Sequence, residues 1–366
     1  MNFLSLANAG IQKLTPYQPG KPIEELQREL GLSEIIKLAS NENPLGPSPK
    51  VAEALASSVS ELSRYPDGNA FRLKQALAEK LSVGADQLTI GNGSNDILEF
   101  VPRVFADAES EIIFSEYSFA VYPIATMGVG AKAVVTPAKD WGHDLDAMAN
   151  AVTEKTRVIF VANPNNPTGT WISKGDLEAF LANVPERVII VLDEAYAEYL
   201  NEPDYPNGVS YISQYPNLIV TRTFSKAYGL AGLRLGYSIS SPEMADLLNR
   251  IRQPFNVNLP AQEAGLAVLQ DKEYLEKSVA VNSAGLRQLV AGFDQLGLSY
   301  IPSVANFIAV EVGDNAGDIY QGLLKKGVIV RPVANYAMPR HLRVSVGLES
   351  ENERFLTALK DVLAGN

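Results

Sequence analysis

The sequence predicts an α/β protein built around an open, mostly parallel β-sheet. From about residue 50, segments with helical spacing of apolar residues alternate with short apolar strands. The segments VIIVLD (188–193) and RVIFVAN (157–163) are continuously apolar, which is typical of strands buried on both faces of a parallel sheet. Ligands of such sheets bind at the C-terminal ends of the strands.

The individual elements follow from these patterns in chain order. Apolar residues three to four positions apart predict helices at 51–59, 71–81 and 96–104. Short apolar runs predict strands at 87–90, 111–114, 133–135, 158–162, 188–192 and 218–221. Beyond residue 255 the pattern changes to one long helical stretch at 261–296, strands at 307–310, 328–330 and 342–346, and helices at 318–326 and 350–363. This later region is typical of an α+β unit.

A chain of 366 residues exceeds the size at which one hydrophobic core stops growing, so two domains are expected. We assign residues 46–255 to a large α/β domain and residues 256–366 to a small α+β domain. The first 45 residues are irregular except for a helical pattern at 22–30. We expect residues 1–45 to form an arm that packs with the small domain or with a partner subunit.

The composition excludes several classes of site. With 31 basic and 42 acidic residues, the net charge of −11 disfavours a nucleic-acid or anionic-membrane surface. The absence of cysteine excludes disulfides, thiolate metal sites and a cysteine nucleophile. Two histidines, His143 and His341, are too few for a histidine triad or a multi-histidine metal site, so we expect no metal and two structural or exposed histidines.

The N-terminal sequence MNFLSLANAGIQKL has no basic region ahead of its apolar residues, as a signal peptide would. No segment reaches the roughly 18 uncharged apolar residues that span a bilayer. We therefore expect a cytoplasmic protein.

Four motifs follow predicted strands, where a parallel sheet places its ligands. The first, TIGNGSND (89–96), ends a strand in two glycines before Ser94 and Asn95 open a helix. Glycine lets backbone amides approach an anion, and the helix N-terminus adds partial positive charge. The motif indicates a phosphate cradle or, alternatively, a glycine turn with an ordinary N-cap.

The next two motifs place an amide and a carboxylate at strand ends. VANPNNPTG (161–169) is a rigid loop whose asparagines either donate into the crevice or only shape a turn. In VLDEAYAEY (191–199), Asp193 ends an apolar strand and Tyr196 follows three positions later. Burying that carboxylate is costly unless it meets a cation or strong donors, and a protonated ring nitrogen would be such a cation. A satisfied helix N-cap is the alternative interpretation.

The fourth motif, TRTFSKAYGLAGLRLG (221–236), carries Thr223, Ser225, Lys226 and Arg234. Hydroxyl, ammonium and guanidinium groups at a strand end form a reasonable anion site. A desolvated lysine near other cations also has a depressed pKa and becomes nucleophilic. For an isolated lysine, an ordinary surface charge would be the alternative.

The order and spacing of the four motifs resemble the pyridoxal-phosphate enzymes of the aspartate-aminotransferase fold (fold type I). The resemblance runs from LTPYQPGKP near the start to HLRVSVGLESENERF near the end, and NPNNPTG, DEAY and SKAYGLAGLRLGY carry it in combination. ASNENPLGPSP (39–49) and RYPDG (64–68) favour the histidinol-phosphate aminotransferase family within that fold.

This resemblance implies a pyridoxal 5′-phosphate site. Lys226 matches the lysine that holds the cofactor as a Schiff base and, once freed, moves the proton at the substrate carbon. Asp193 matches the carboxylate that keeps the pyridine nitrogen protonated. Asn166 and Tyr196 match donors to the ring oxygen, and Tyr117 matches the aromatic residue that stacks on the ring.

The resemblance also implies the remaining contacts. The phosphate would be held around Gly93, Ser94 and Asn95 and by Ser225 and Arg234, with Thr223 a weaker candidate and Tyr65 donated by the partner in a homodimer with shared active sites. The substrate contacts would be Arg343, Arg331, Tyr17 on the arm and Asn43. One departure is the loop GSND, where many relatives carry two acidic residues after the serine; we expect binding to persist, because backbone amides do most of the work.

The function implied is transfer of the amino group from L-glutamate to imidazole-acetol phosphate, which gives L-histidinol phosphate and 2-oxoglutarate in histidine biosynthesis. An aromatic amino-acid aminotransferase is the nearest alternative, because it would share every cofactor residue. A phospho-amino-acid decarboxylase of the same fold is a further alternative. A cofactor-sensing DNA-binding regulator is disfavoured by the charge of −11 and by the lack of a basic stripe.

Overall fold

The computed structural model describes residues 2–17 and 20–365. Its helices, in chain order, are α1 (Ile23–Leu30), α2 (Pro49–Ser58), α3 (Phe71–Leu81), α4 (Ser94–Phe105), α5 (Val121–Gly128), α6 (Leu145–Asn150), α7 (Lys174–Asn183), α8 (Pro242–Ile251), α9 (Leu259–Leu269), α10 (Lys272–Leu296), α11 (Ala316–Lys325) and α12 (Glu349–Ala364). Short 3₁₀ turns join several of them. Within the described residues, none of these helices is long and apolar enough to cross a membrane.

The strands lie between these helices. They are β1 (Ile36–Lys37), β2 (Leu88–Gly91), β3 (Glu111–Ser115), β4 (Lys132–Thr136), β5 (Ala138–Lys139), β6 (Gly142–His143), β7 (Thr156–Ala162), β8 (Ile189–Asp193), β9 (Leu218–Thr223), β10 (Gly236–Ile239), β11 (Tyr300–Ile301), β12 (Phe307–Glu311), β13 (Val328–Ile329), β14 (Arg331–Pro332) and β15 (His341–Ser345). The predicted strands are all present, with ends shifted by one or two residues. Strand β10 and the β5–β6 hairpin had no clear sequence signal.

A seven-stranded sheet in the order β2-β10-β9-β8-β7-β3-β4 forms the centre of the large domain. Strands β4, β3, β7, β8 and β9 pair in parallel, whereas β10 pairs antiparallel with β9 and β2. The α/β class and the mostly parallel sheet are thus confirmed. Because neighbouring parallel strands end at the same edge, the motifs that follow β7, β8 and β9 are brought together there.

Apolar side chains cover both faces of this sheet, as the continuous strand sequences predict. On one face, Val161 and Leu192 belong to a buried cluster with residues of α2, α3 and α9. On the other, Phe160 and Val191 pack with residues of α4 and α8. Burial on both faces explains why these strands lack the alternation of an antiparallel sheet with one exposed face.

The C-terminal part of the chain has a separate core. Strands β11-β12-β15-β14 form an antiparallel sheet, and residues of α10, α11 and α12 pack on it. The N-terminal arm joins this unit, because β1 pairs in parallel with β13 and Leu38 is buried in the same core. The arm also contacts the C-terminal sheet, because the backbone nitrogen of Ser345 in β15 donates to the carbonyl of Leu38 (2.8 Å).

The long helical stretch predicted at 261–296 is wrong in one respect, because it consists of two helices. The α9 helix ends at Leu269, and Asp271 caps the start of α10 by accepting a hydrogen bond from the backbone of Tyr274 (3.2 Å). The Ser48 hydroxyl also donates to Asp271. Residues of α9 belong to the same buried cluster as residues of α2 and α3. The division of the chain into domains at residue 255 stays a prediction.

Strand β10 lies close against the turn that starts α4, and this contact gives a first test. A methyl group added at Gly236 would lie 2.6 Å from the carbonyl carbon of Gly93 and even nearer to the backbone nitrogen of Ser94. We expect Gly236→Ala to destabilise the folded state by about 1–3 kcal/mol through overpacking, measured by urea unfolding of the apo-protein. The control is Gly175→Ala in α7, where a methyl group meets no atom within 4 Å and stability should not fall. Equal stability of the two variants would contradict this account.

Candidate active site

A cavity of about 390 Å³ opens where the parallel strands end, bounded also by the arm and the C-terminal sheet. Most of the predicted site residues line it. These are Tyr17, Ser94, Asn95, Asn166, Asp193, Tyr196, Thr223, Ser225, Lys226, Arg234, Arg331 and Arg343. Segments more than 300 residues apart in sequence, such as those of Tyr17 and Arg331, therefore meet in one place.

One end of the cavity is an anion cradle at the start of α4. Gly93 has a φ of +81°, which places it in the left-handed region that favours glycine. A methyl group there would lie 2.5 Å from a terminal nitrogen of Arg234, so a larger residue would displace that guanidinium. The backbone and hydroxyl of Ser94 thus lie at a helix N-terminus beside a cation, an arrangement that suits a phosphate.

The acidic residue of the GSND sequence has a structural task. Asp96 accepts hydrogen bonds from the backbone nitrogen of Asn92 (2.7 Å) and from the side chain of Asn256 (2.9 Å). The Asp96 carboxylate therefore stabilises the glycine turn through these two hydrogen bonds. Ser94 and Asn95 of the turn line the cavity, and phosphate binding by the backbone amides of the GSND turn stays a prediction.

Hydroxyl groups after β9 complete the cradle. A terminal nitrogen of Arg234 lies 3.4 Å from the Ser225 hydroxyl oxygen. The Thr223 hydroxyl accepts from the backbone nitrogen of Ser225 (3.1 Å) and lies 3.4 Å from the carbonyl of Leu235. Because the Thr223 hydroxyl already accepts one hydrogen bond and donates another, Ser225 is the better anion ligand.

Asp193, at the end of β8, is buried with two hydroxyl partners. The phenol of Tyr122 donates to one carboxylate oxygen (2.8 Å), and the hydroxyl of Thr221 donates to the other (3.0 Å). Burial raises the pKa of Asp193, while these two hydrogen bonds oppose that rise. A cationic ligand beside this carboxylate would keep it charged.

Tyr122 and Thr221 were missed from the sequence. Tyr122 is fully buried and stacks on Phe160 with ring centroids 4.6 Å apart. Because Tyr122 packs among apolar side chains, its role as a hydrogen-bond donor could not be recognised from the sequence. The second tyrosine of SEYSFAVY was the available signal, but only the fold places it under Asp193.

The Lys226 amine lies in the middle of the cavity lining. It donates to the backbone carbonyl of Ser40 at 3.3 Å. Burial lowers the pKa of Lys226 from 10.5 to about 8, and the nearby charges of Arg343 and Arg234 contribute to this depression against the opposing effect of Glu42. A substantial fraction of this amine is therefore neutral, and nucleophilic, near neutral pH.

The asparagine of the NPNNPTG loop meets an arginine. Arg343 donates through one terminal nitrogen to the side-chain oxygen of Asn166 and through the other to the carbonyl of Ala39 (3.0 Å). The side-chain NH₂ of Asn166 is thereby turned away from Arg343 and is available as a donor. The buried Nε of Arg343 has no hydrogen-bond partner among the described residues, which suits an anionic ligand.

A second arginine lies beside the arm. The guanidinium of Arg331 lies 5.5 Å from the ring centre of Tyr17. Arg331 is 8% exposed, whereas Tyr17 is 51% exposed. The cavity thus offers two guanidinium groups, Arg331 and Arg343, on the side away from the α4 cradle.

Asn43 is not among the residues that line the cavity, and its contact with substrate stays a prediction. Its side-chain NH₂ donates to the carbonyl of Ala227 (3.0 Å) and to the Ser278 hydroxyl (2.7 Å), so it anchors the chain next to Lys226. The residue of this motif that lines the cavity is Asn41, whose NH₂ donates to the Tyr196 hydroxyl at 3.0 Å. Position in the motif ASNENP could not distinguish the two asparagines.

Tyr117 and Tyr65 lie apart from the cavity lining. The ring of Tyr117 packs against Trp141 at 5.1 Å, and Phe119 is the aromatic residue of that loop that lines the cavity. Stacking of Tyr117 on a cofactor ring stays a prediction. Tyr65 is 81% exposed and stacks on Phe255 at 4.5 Å, so its role across a dimer interface also stays a prediction.

The histidines take no part in the cavity. His143 lies with Nε2 at 2.9 Å from the carbonyl of Ala162, and burial lowers its pKa to about 4. His341 packs edge-on against Trp141 at 5.0 Å. Both are partly or fully buried packing residues, in keeping with the structural role expected for them. No group of three metal-ligating side chains occurs in the described residues.

The donor set fits the predicted pyridoxal phosphate. An anion cradle at α4, a buried carboxylate at Asp193 and a lysine of depressed pKa at Lys226 match its phosphate, ring nitrogen and aldehyde respectively. Hydrogen-bond donors at Asn166 and Tyr196 lie in the same lining. All these groups belong to one cavity.

Comparison with known proteins agrees with this site. The family model for aminotransferase class I and II matches residues 33–359. The chain is 59% identical over 365 residues to histidinol-phosphate aminotransferase 2 of Pseudomonas fluorescens strain Pf0-1, covering 99% of each chain. It is 56% identical over 361 residues to histidinol-phosphate aminotransferase 1 of Nitrosococcus oceani, covering 99% of this chain and 98% of the relative.

A solved structure is similar over the same length. The crystal structure of histidinol-phosphate aminotransferase from Sinorhizobium meliloti, in complex with pyridoxal-5′-phosphate, has a TM-score of 0.90 and 31% identity, covering 99% of this chain and 98% of that one. The chain therefore belongs to the class I and II aminotransferases and, within them, to the histidinol-phosphate aminotransferase family.

Proposed function

We propose that the protein uses pyridoxal 5′-phosphate to transfer an amino group from L-glutamate to imidazole-acetol phosphate, a step of histidine biosynthesis in the cytoplasm. The observation that carries the proposal is the convergence of Lys226, Asp193, the α4 cradle and two further arginines in one cavity. Relatives 59% and 56% identical over nearly the full chain bear the name of this activity.

The bound cofactor would supply an electron sink and would carry the amino group between two half-reactions. Asp193 keeps a proton on the ring nitrogen, because a buried carboxylate with two hydroxyl donors is most stable beside a cation. The α4 cradle, Ser225 and Arg234 would hold the phosphate. These contacts would position the cofactor beside Lys226.

Lys226 acts as the base. Its Nζ would take the proton from the α-carbon of the amino donor and pass it to the cofactor carbon that receives the amino group, and would carry out the reverse transfer for the acceptor in the second half-reaction. A pKa of about 8 suits both directions, because the amine can accept and release a proton near neutral pH. The carbonyl of Ser40 accepts a hydrogen bond from this Nζ and limits its movement.

The two arginines on the far side account for substrate choice. Arg343 and Arg331 lie on adjacent strands, paired across β14 and β15. A planar guanidinium fork receives either a carboxylate or a phosphate, so the same pair can hold the α-carboxylate of glutamate or the phosphate of the acceptor. Tyr17, beside Arg331, would close over the phosphate.

An aromatic amino-acid aminotransferase is the second candidate, since it needs the same cofactor residues. The relatives that are 59% and 56% identical over nearly the full chain bear the name histidinol-phosphate aminotransferase, which favours the phosphorylated substrate. The decarboxylase alternative is not favoured, because the relatives matched over the full chain are aminotransferases.

We also propose a homodimer in which Tyr65 completes the site of the partner subunit. Tyr65 does not line the cavity of its own chain. Large apolar side chains near it in sequence are exposed too, namely Val59 (62%), Leu62 (55%) and Phe71 (63%). Exposed apolar patches of this kind mark interfaces.

The half-reactions provide the main test. Purified holoenzyme should lose its visible cofactor absorption when L-histidinol phosphate alone is added, and 2-oxoglutarate should restore it. Lys226→Ala should lower turnover by several orders of magnitude, because the base is removed. Bleaching by aromatic amino acids but not by L-histidinol phosphate would instead support the second candidate. Release of carbon dioxide without a keto-acid partner would support a decarboxylase.

The pKa of Lys226 predicts a pH profile for cofactor capture. Only a neutral amine attacks an aldehyde, so the rate at which apo-protein captures pyridoxal phosphate should rise about tenfold per pH unit and level off above about pH 8. Stopped-flow absorbance measures this rate. Arg343→Gln should move the break to higher pH, since it removes a positive charge. A wild-type rate that still rises tenfold per unit near pH 10 would contradict the depressed pKa.

The same pKa fixes the sign of a stability effect. Because Lys226 has a lower pKa in the folded chain than in the unfolded one, its burial costs stability below about pH 8. That cost should disappear as the pH rises from about 8 toward 10.5. Lys226→Met should remove this dependence from the unfolding free energy of the apo-protein.

Subunit mixing tests the dimer. The variants Lys226→Ala and Tyr65→Ala should each be weakly active alone. Refolded together, they should recover about a quarter of native activity, because half of the dimers are mixed and each of these contains one complete site. No recovery beyond the sum of the two parents, with mixed dimers demonstrated by mass, would show that Tyr65 does not act across the interface.

A further inference from the structure

The segment of residues 39–43, here named the 39–43 strap, lies between the C-terminal sheet and the reactive groups of the large domain. Its Ala39 carbonyl accepts a hydrogen bond from Arg343 (3.0 Å). Its Ser40 carbonyl accepts one from the Lys226 amine (3.3 Å). The strap thus contacts both the proposed substrate arginine and the proposed catalytic base.

Asn41, at the centre of the strap, is held on three sides. Its backbone nitrogen donates to the Ser345 hydroxyl oxygen (2.8 Å), and that hydroxyl donates to the Asn41 side-chain oxygen (3.2 Å). The side chain of Asn306 donates to the Asn41 carbonyl (3.0 Å). Asn41 is 1% exposed and has a φ of +53°, a left-handed conformation that asparagine tolerates better than most residues.

These contacts fix which end of the Asn41 amide faces Tyr196. The side-chain oxygen of Asn41 lies 3.2 Å from the Ser345 hydroxyl oxygen, so it is the end of the amide that faces Ser345 and accepts from that hydroxyl. The NH₂ end then lies 3.0 Å from the Tyr196 hydroxyl. An amide NH₂ has no acceptor lone pair available, so the tyrosine oxygen is the acceptor in this hydrogen bond.

The proton of the Tyr196 hydroxyl must therefore point away from Asn41. The tyrosine ring packs edge-on against Phe307 at 5.2 Å, and Tyr196 lines the cavity. The proton is thus directed toward the cavity. Burial raises the pKa of Tyr196 to about 12, so the phenol keeps this proton over the working pH range.

The ionisable groups around Tyr196 come from both domains. The Lys226 amine lies 5.7 Å from the centre of its ring. The charge of Arg343 favours the ionised phenol, whereas Asp193 and Tyr336 disfavour it. Asn41 is the group that hydrogen-bonds the hydroxyl itself, and it is neutral.

We propose that Asn41 is a positioning residue, held by Ser345, that directs the Tyr196 hydroxyl proton onto the ring oxygen of the bound cofactor. This inference rests on the proposed function, because it needs a pyridoxal phosphate in the cavity. A contact made by the C-terminal sheet would then determine the direction of the Tyr196 hydroxyl proton. Motion of that sheet would then change the hydrogen bond at the cofactor.

The proposal predicts a spectroscopic shift. A hydrogen bond donated to the anionic ring oxygen stabilises the negative charge of that oxygen. The stabilisation is greatest when the lysine nitrogen bound to the cofactor carries no proton. The hydrogen bond thus lowers the pH midpoint of the visible absorption band of the holoenzyme. Losing the orientation of Tyr196 should raise that midpoint by about 0.5–1 pH unit, the size expected of one hydrogen bond.

The test is a double-mutant cycle on this midpoint. Asn41→Gly removes the amide and keeps the left-handed backbone. It should raise the midpoint in the wild-type background and cause no further shift in the Tyr196→Phe background. Ser345→Ala, which leaves Asn41 in place but releases its side-chain oxygen, should raise the midpoint by a smaller amount and serves as the second variant.

The outcomes separate this inference from the proposed function. If wild-type protein gains no visible band with pyridoxal phosphate, the proposed function itself fails. If the band forms but neither variant moves its midpoint, or if Asn41→Gly moves it equally with and without the Tyr196 hydroxyl, the positioning role is overturned. Thermal unfolding of each apo-variant checks that the folded state is retained.

Discussion

The structure depends on keeping the Asp193 carboxylate charged in a buried position. Burial raises its pKa and opposes ionisation, and two hydroxyl groups, from Tyr122 and Thr221, oppose that rise. Two neutral donors offset only part of the desolvation cost of a carboxylate, so the remaining part favours a cation in the cavity. The end of β8 is thus poised for a ligand with a protonated ring nitrogen.

Around this carboxylate the cavity is locally positive, although the whole chain carries a charge of −11. Arg234, Arg331 and Arg343 and the partly neutral Lys226 all lie in its lining. A net negative charge disfavours the binding of polyanions, whereas the arginines of the cavity favour small anions. The two proposed anion sites, one at α4 and one at β14–β15, would place the cofactor and the substrate in different parts of the same cavity.

Much of this site could be predicted, because its main residues follow strands with strong apolar patterns. Asp193 and Lys226 were found from position alone, and their roles from the family resemblance. Asn41 was missed in favour of Asn43, because the choice depends on Ser345, a partner 304 positions away in the chain. The break after α9 was missed for a related reason, since the cap at Asp271 is also bound by the distant Ser48.

The pairing of β1 with β13 has a consequence for how the chain is made. A ribosome releases Ile36 well before its partner Val328, because Val328 lies much later in the chain. The sheet of the large domain can form in the meantime, but the 39–43 strap lacks the contacts that Arg343 and Ser345 provide until β15 has emerged. The lining of the cavity is incomplete until then, so a chain that lacks β15 cannot have a working site.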